Sequence, residues 1–209
     1  MARPLVRRFE GIFPRLHRRA AQLAMLRARY QLEQRGELWV FAYGSLLWRP
    51  CYRAVEVWPA TLSAYARRLC VWTVEARGTP AHPGLGLGLE ARLGARCRGA
   101  VHRIPRAQWK QALRALWARE LWTAIYVPRW LRVTTPAGPV SALTFVVDTA
   151  NSQYAGELNE ADAVAYIRQA HGQLGSCTDY VMATDRALRQ AGFNDSHLRA
   201  VATKLRVID

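Results

Sequence analysis

Lysine is nearly missing from this sequence: it occurs twice, at Lys110 and Lys204, among 30 basic residues. The formal charge of +15 is therefore almost wholly arginine. A basic balance of that size suggests nucleic acid or an anionic membrane surface. The arginines come with plentiful Ala, Leu and Trp, however, which reads as a composition bias, and a solvated, Arg-decorated surface is the simpler expectation. Neither a nucleic-acid nor a membrane partner is expected. Long apolar runs are absent too, since Arg, Glu or Gly interrupts every stretch before the roughly 18 to 20 residues that a membrane span needs. A soluble, cytoplasmic protein is expected. Cysteine is scarce: Cys51, Cys70, Cys97 and Cys177 lie far apart, without a C-x-x-C pair and in core-like surroundings. This favours free thiols in a reducing compartment over a disulfide framework. The five histidines, His17, His82, His102, His171 and His197, show no H-x-x-x-H or mixed Cys/His spacing. No metal site and no cofactor are expected.

What is present is a chain of 209 residues, 51% apolar, enough for one sizeable core with a short appendage. Residues 1–36 stand apart, with nine Arg against two Glu. A helical pattern from about Arg18 to Gln34 places Leu23, Leu26 and Tyr30 on one face. The segment lacks the apolar run of a secretory signal, but an Arg-rich, acid-poor helix also resembles an organelle transit peptide. The reading adopted is a basic helical extension, 1–36, docking on a domain of residues 37–209.

Strand-like runs dominate the first part of that domain: Leu38 to Tyr43, Arg68 to Val74, Leu85 to Glu90, Arg98 to Ile104, Trp130 to Thr134 and Val140 to Asp148. Helical patterns follow at Arg106 to Leu121, Glu160 to His171, Cys177 to Gln190 and Asp195 to Arg206, the last with Asn194-Asp195-Ser196 as a start signal. The layout is α/β or α+β. Neither an internal repeat nor a low-complexity linker is visible.

The segment Trp39 to Trp48, WVFAYGSLLW, reads as a buried strand running into a turn. Gly44 permits a positive φ and close approach of a ligand to main-chain N–H groups. An ordinary strand end, with Trp39, Phe41 and Tyr43 filling a core at period two, accounts for the same residues. A serine-nucleophile elbow requires Gly two residues before and after the Ser, and around Ser45 those places hold Tyr43 and Leu47.

The helix before Glu120 is more informative. Trp109, Leu113 and Leu116 recur at spacings of four and three, and Glu120 follows four residues on in the same stripe. A carboxylate is thus aimed at the interior, near a helix C-terminus where the dipole disfavours negative charge. Both effects push its pKa up, toward a group able to accept and donate a proton near neutrality. A structural Glu matched by an arginine fits equally well. Arg119 lies about 100° round the helix, so these neighbours are not expected to pair.

Taken in order, the motifs carry a resemblance. Tyr43-Gly44-Ser45-Leu46-Leu47-Trp48 after a hydrophobic strand resembles the ChaC branch of the γ-glutamyl cyclotransferase family. Tyr65-Ala66-Arg67-Arg68, Arg77-Gly78-Thr79-Pro80 with Pro83-Gly84, and Cys97-Arg98-Gly99-Ala100-Val101 are similar to its further motifs. So are Leu116 to Glu120, Tyr126 to Trp130, and Gly172 to Gly175 before Asp179-Tyr180, the set spanning Glu37 to Val207. Ala42 stands where the family usually has Gly, His102 where it has Tyr, and Ser176-Cys177-Thr178 where Asn is common.

The resemblance implies a small β-barrel flanked by helices, and cyclisation of the γ-glutamyl group of glutathione to 5-oxoproline with release of cysteinyl-glycine. It implies Glu120 as the catalytic residue and Val40, Phe41, Ala42, Tyr43, Gly44, Ser45, Leu46 and Tyr180 as the substrate-binding set. Tyr43, Ser45 and Tyr180 are candidates to stabilise the oxyanion. Arg77 either meets a substrate carboxylate or staples its turn. Other γ-glutamyl amino acids or amines remain alternative substrates. A catalytically silent protein that binds through the basic extension is the alternative of another class.

Overall fold

The computed structural model describes residues Arg8 to Arg206. The chain divides into two compact units: one of Pro14–Arg67 with Leu89–Asp148, the other of Arg68–Gly88 with the described residues up to Phe13 and from Thr149 onward. Among the described residues no helix is long and apolar enough to cross a membrane.

The strands form a closed five-stranded barrel in the order β1-β3-β2-β4-β5: β1 Leu38–Ala42, β2 Glu56–Thr73, β3 Gly84–Ile104, β4 Tyr126–Thr135 and β5 Gly138–Val147, all in the first unit except residues 68–73 of β2 and 84–88 of β3. β1 is an unbroken apolar run with a partner strand on each side. It pairs antiparallel with β3, from Leu38 opposite Ile104 to Ala42 opposite Ala100, and parallel with β5 through Trp39–Ala142 and Val40–Leu143. A strand covered on both faces loses the usual polar alternation, and all five of its residues are buried. β4 and β5 form a hairpin with ten paired positions, closed at Thr135–Gly138, where Gly138 takes φ +111°.

One face of β1 and β3 carries the core. Leu38, Val40, Ala42 and Ile104 pack with Leu143 and Phe145 of β5 and with Ala112, Leu113, Leu116 and Trp117 of α2, Trp109–Glu120. The apolar spacing read from the sequence is thus the face that α2 buries. The runs Leu85 to Glu90 and Arg98 to Ile104 are two ends of a single strand. Between them Leu93 is 97% exposed and Gly94 takes φ +78°, so a glycine kink at the surface bends β3 without ending it.

The helix before β1, α1 (Arg18–Arg35), begins at His17, whose Nδ1 accepts the Arg19 N–H, and ends at Gly36, which takes φ +71°. Its docked face differs from expectation: Ala28 and Leu32 are buried in the core cluster with Ala24 and Met25 against it, while Leu23, Leu26 and Tyr30 are exposed. Small side chains let the helix axis approach the core, and the larger stripe lies on the far side. Arg35 fixes the end of α1 by donating to Ser141 Oγ at 3.1 Å, with its guanidinium 4.8 Å from the Trp130 ring centroid.

The second unit holds α3 (Glu160–Gln169), the two-residue strands β6 (His171–Gly172) and β7 (Gly175–Ser176), α4 (Cys177–Gln190) and α5 (Ser196–Arg206). Asn159, Ser176 and Asp195 cap the three helices, each side chain accepting an N–H three residues on. The buried Asp185 carboxylate is matched by Arg189 at 3.1 Å and Arg206 at 2.9 Å. The four cysteines are free, and only Cys51 is not fully buried.

Candidate active site

Tyr43 and Gly44 follow β1 directly, and a 3-10 turn, Ser45–Leu47, takes over from there. Gly44 has φ −130°, so the turn is not made by a left-handed glycine as expected. It is made instead by the 3-10 turn itself, in which Leu47 N–H donates to Gly44 O at 3.0 Å. Ala42 is not among the residues with positive φ either, so a methyl group is accommodated there without backbone strain.

The end of β1 is held tightly. Thr144 Oγ1 donates to Phe41 O at 3.1 Å, and the Tyr43 hydroxyl donates to Phe145 O at 2.9 Å. Arg67, 6% exposed, donates through Nε to Tyr43 O at 2.5 Å and through Nη2 to Arg98 O. A buried guanidinium that spans two carbonyls fixes the strand end to β3. The sequence signal for this role is an arginine in the Tyr65 to Arg68 motif, just ahead of the strand-like run that starts at Arg68. The Val40 and Ala42 side chains face the core that α2 covers, as does Leu46. Phe41 is fully buried as well, so these four residues form wall and backbone.

Glu120 is the last residue of α2 and 15% of its side chain is exposed. Burial pushes its carboxyl pKa up, and the Arg119 charge opposes that rise. Contrary to the expectation from helical geometry, Arg119 and Glu120 do pair, Nε to Oε1 at 3.3 Å. The Cβ directions diverge, but a guanidinium on a long stem reaches across that gap, and here it is drawn over by further acceptors. Arg119 Nη2 donates to Ser45 Oγ at 2.8 Å and Nη1 to Arg49 O. One side chain therefore ties Glu120 to the turn after β1. Ser45 accepts in that bond, which leaves its own proton to donate.

Two residues not foreseen as part of the site adjoin this group. Cys51 is half-buried; burial pushes its thiol pKa up, Arg119 opposes this, and the Glu120 charge adds to it. Tyr52 is raised well above the usual phenol range by burial, then by the charges of Cys51 and Glu120. The Tyr52 hydroxyl lies 3.0 Å from His102 Nδ1. His102, 4% exposed and opposite Val40 on β3, is pushed down to about 4 by burial and so is neutral. Apart from the unusual residue at 102, nothing in the local sequence singles this pair out.

Tyr180 belongs to the second unit, on α4, where its hydroxyl accepts the Leu87 N–H at 3.2 Å. In the same unit Arg77 donates to Ser176 O at 3.3 Å, joining its loop to the residue that precedes α4. Cys177 Sγ lies 3.3 Å from both Leu85 N and Leu85 O, and burial pushes its thiol to about 12. That cysteine is a core group.

The closed five-stranded barrel with its flanking helices is the fold of γ-glutamyl cyclotransferase structures. A crystal structure of a γ-glutamyl cyclotransferase specific to glutathione from yeast superposes with TM-score 0.74, at 20% identity, over 81% of this chain and 95% of that one. The chain belongs to the ChaC-like protein family, whose sequence profile matches residues 38–207. It is 32% identical to a glutathione-specific gamma-glutamylcyclotransferase of Escherichia coli over 190 residues, covering 90% of this chain and 80% of the relative. It is also 29% identical to gamma-glutamylcyclotransferase 2-3 of Arabidopsis thaliana over 178 residues, 82% of this chain and 89% of the relative.

Proposed function

We propose that this chain converts glutathione into 5-oxoproline and cysteinyl-glycine, with Glu120 as the proton carrier. The observation that carries the reading is Glu120 itself: a largely buried carboxyl with a raised pKa, joined through Arg119 to Ser45.

The chemistry is intramolecular. Ionised Glu120 takes a proton from the substrate α-ammonium, and the freed amine attacks the γ-carbonyl carbon, forming the lactam C–N bond. As the γ-amide bond breaks, Glu120 returns its proton to the departing cysteinyl nitrogen, and the new lactam nitrogen sheds its second proton, which the same carboxylate passes to the released amine so that it leaves as an ammonium. Neither water nor a cofactor enters the balance. Folding the γ-glutamyl chain so that its amine meets its own carbonyl contributes on the order of 7 to 11 kcal/mol, and that is the task of Tyr43 to Leu46. The Ser45 hydroxyl, polarised by Arg119, is the best-placed donor for the oxyanion, because the Tyr43 hydroxyl is committed to Phe145.

In this reading residues 37–209 carry the chemistry and residues 1–36 extend it. The enzyme works in the cytoplasm, where free thiols persist. The test is release of 5-oxoproline from glutathione by the purified protein, set beside γ-glutamyl amino acids and γ-glutamylamines. Preferred turnover of glutathione supports the assignment. Faster turnover of another γ-glutamyl compound keeps the reaction and changes the substrate, and no 5-oxoproline from any of them ends it.

A further inference from the structure

Glu120 stands where a helix is least constrained. Leu121 closes α2 by donating its N–H to Trp117 O at 3.0 Å, and a loop without regular structure leads on to β4. The last turn of a helix frays unless something outside it holds the chain. Here the segment before α1 does so. Leu16 N–H donates to Trp122 O at 3.0 Å, and Arg15 and Thr123 form an antiparallel bridge. The Arg15 guanidinium lies 4.1 Å from the Trp122 ring centroid. Leu16 packs against the core cluster that includes Leu116, Trp117 and Leu121. Past this point α1 sinks Ala28 and Leu32 into the same cluster and Arg35 bonds to Ser141. The segment is thus pinned at both ends, and between its ends it packs on the helix that carries Glu120.

We propose that residues 15–35 are a positioning element for Glu120, a strap that keeps the loop after α2 closed so that the carboxyl stays in place and largely out of water. The inference rests on the assignment of Glu120 as proton carrier. It gives the basic extension a task within the barrel unit, neither docking for its own sake nor recognition of an anionic partner. The charge that bears on Glu120 is that of Arg119 on its own helix, while Cys51 and Tyr52 beside it are themselves raised by burial and further by the Glu120 charge. Arg15 faces the Trp122 ring. A loosened strap admits water to the carboxyl and widens its range of positions. The first effect relaxes its pKa downward, and the second costs rate, because a displacement of about 1 Å in a reacting group can cost about a hundredfold.

Two variants leave net charge unchanged. Leu16→Pro deletes the one N–H that Trp122 O accepts, and Arg15→Lys, at an exposed position, removes the flat guanidinium from the ring. The readouts are the titration of the Glu120 carboxyl by carbon-detected NMR, assigned by its disappearance in Glu120→Gln, and the kinetics of 5-oxoproline release. Both variants are expected to lower the Glu120 pKa and move the acid limb of the kcat profile down with it. For Leu16→Pro, kcat falls about tenfold or more while KM changes less than about twofold. Parent-like titration and kcat in the folded variants would overturn the strap. Should Leu16→Pro fail to fold, Arg15→Lys decides alone. Should the parent not turn over glutathione, the function reading falls, and the carboxyl titration still decides whether the strap controls Glu120.

Discussion

Arg119 donates to the Ser45 hydroxyl at 2.8 Å while its Nε lies 3.3 Å from Glu120 Oε1, so one guanidinium couples the turn after β1 to the carboxyl at the end of α2. Its charge opposes the rise that burial imposes on the Glu120 pKa. Arg119→Gln removes that opposition while keeping a donor for Ser45. The acid limb of the kcat profile then moves to higher pH, and kcat near neutrality falls by about ten- to a hundredfold. Arg119→Lys keeps the charge without the fork, so its limb moves less although its rate falls. A downward or absent shift in the Gln variant means that Arg119 does not set the carboxyl.

Glu120→Gln has two expected consequences. Turnover drops by about 10² to 10⁴-fold, the usual size of a general acid–base contribution. Stability also changes its pH dependence. Because the folded pKa is raised, the native chain retains a proton that the unfolded chain has already released, so stability falls as pH rises from the ordinary carboxylate value through the raised one. The variant lacks this loss. Its melting temperature minus the parent's should grow across that window and then level off. A constant difference would show that Glu120 titrates normally.

The reading of these residues from sequence succeeded where periodicity alone decides the outcome. The spacing of Trp109, Leu113, Leu116 and Glu120 pointed to one inward face of α2; the first three pack on the core, and 15% of the Glu120 side chain is exposed. The start signal Asn194-Asp195-Ser196 held for the same reason, since the Asp195 side chain accepts the Leu198 N–H three residues on. Contacts between remote segments were not legible. Arg67 clamping Tyr43 O, Arg119 reaching Ser45, and Tyr52 meeting His102 each join positions that only the closed barrel brings together. The docked face of α1 is not legible from its larger apolar stripe, because Ala28 allows the close approach to the core that Leu23 and Tyr30 do not make.

His102 should make the protein sensitive to mild acid. Its folded pKa of about 4 lies below its ordinary value of 6.5. The neutral ring therefore contributes stability above pH 6.5 that is lost as pH falls toward 4, on the order of 3 kcal/mol when both titrations are complete. His102→Gln has no proton to gain. Urea midpoints at pH 7 and pH 4.5 should converge for the variant and diverge for the parent once carboxylates common to both are subtracted. An equal fall in both proteins excludes the buried imidazole as the cause.

Gly99 is the last test, and it bears on the strand end that leads into the site. A methyl group there would collide with Ala42 O and lie 3.0 Å from the Phe41 ring, both on β1 just ahead of Tyr43. Backbone cannot yield as a flexible side chain does, so Gly99→Ala must push β1 away from β3 or shift their pairing. Overpacking of this kind costs about 1 to 3 kcal/mol. It should also lower kcat, because Arg67 ties Tyr43 O to the carbonyl of Arg98 beside this glycine. Gly11→Ala is the control: nothing lies within 4 Å of its added methyl, and a change within about 0.5 kcal/mol is expected. Equal urea midpoints for the two variants would mean that β1 tolerates displacement at Ala42, and that the position of Tyr43 and Ser45 does not depend on the close approach of β3.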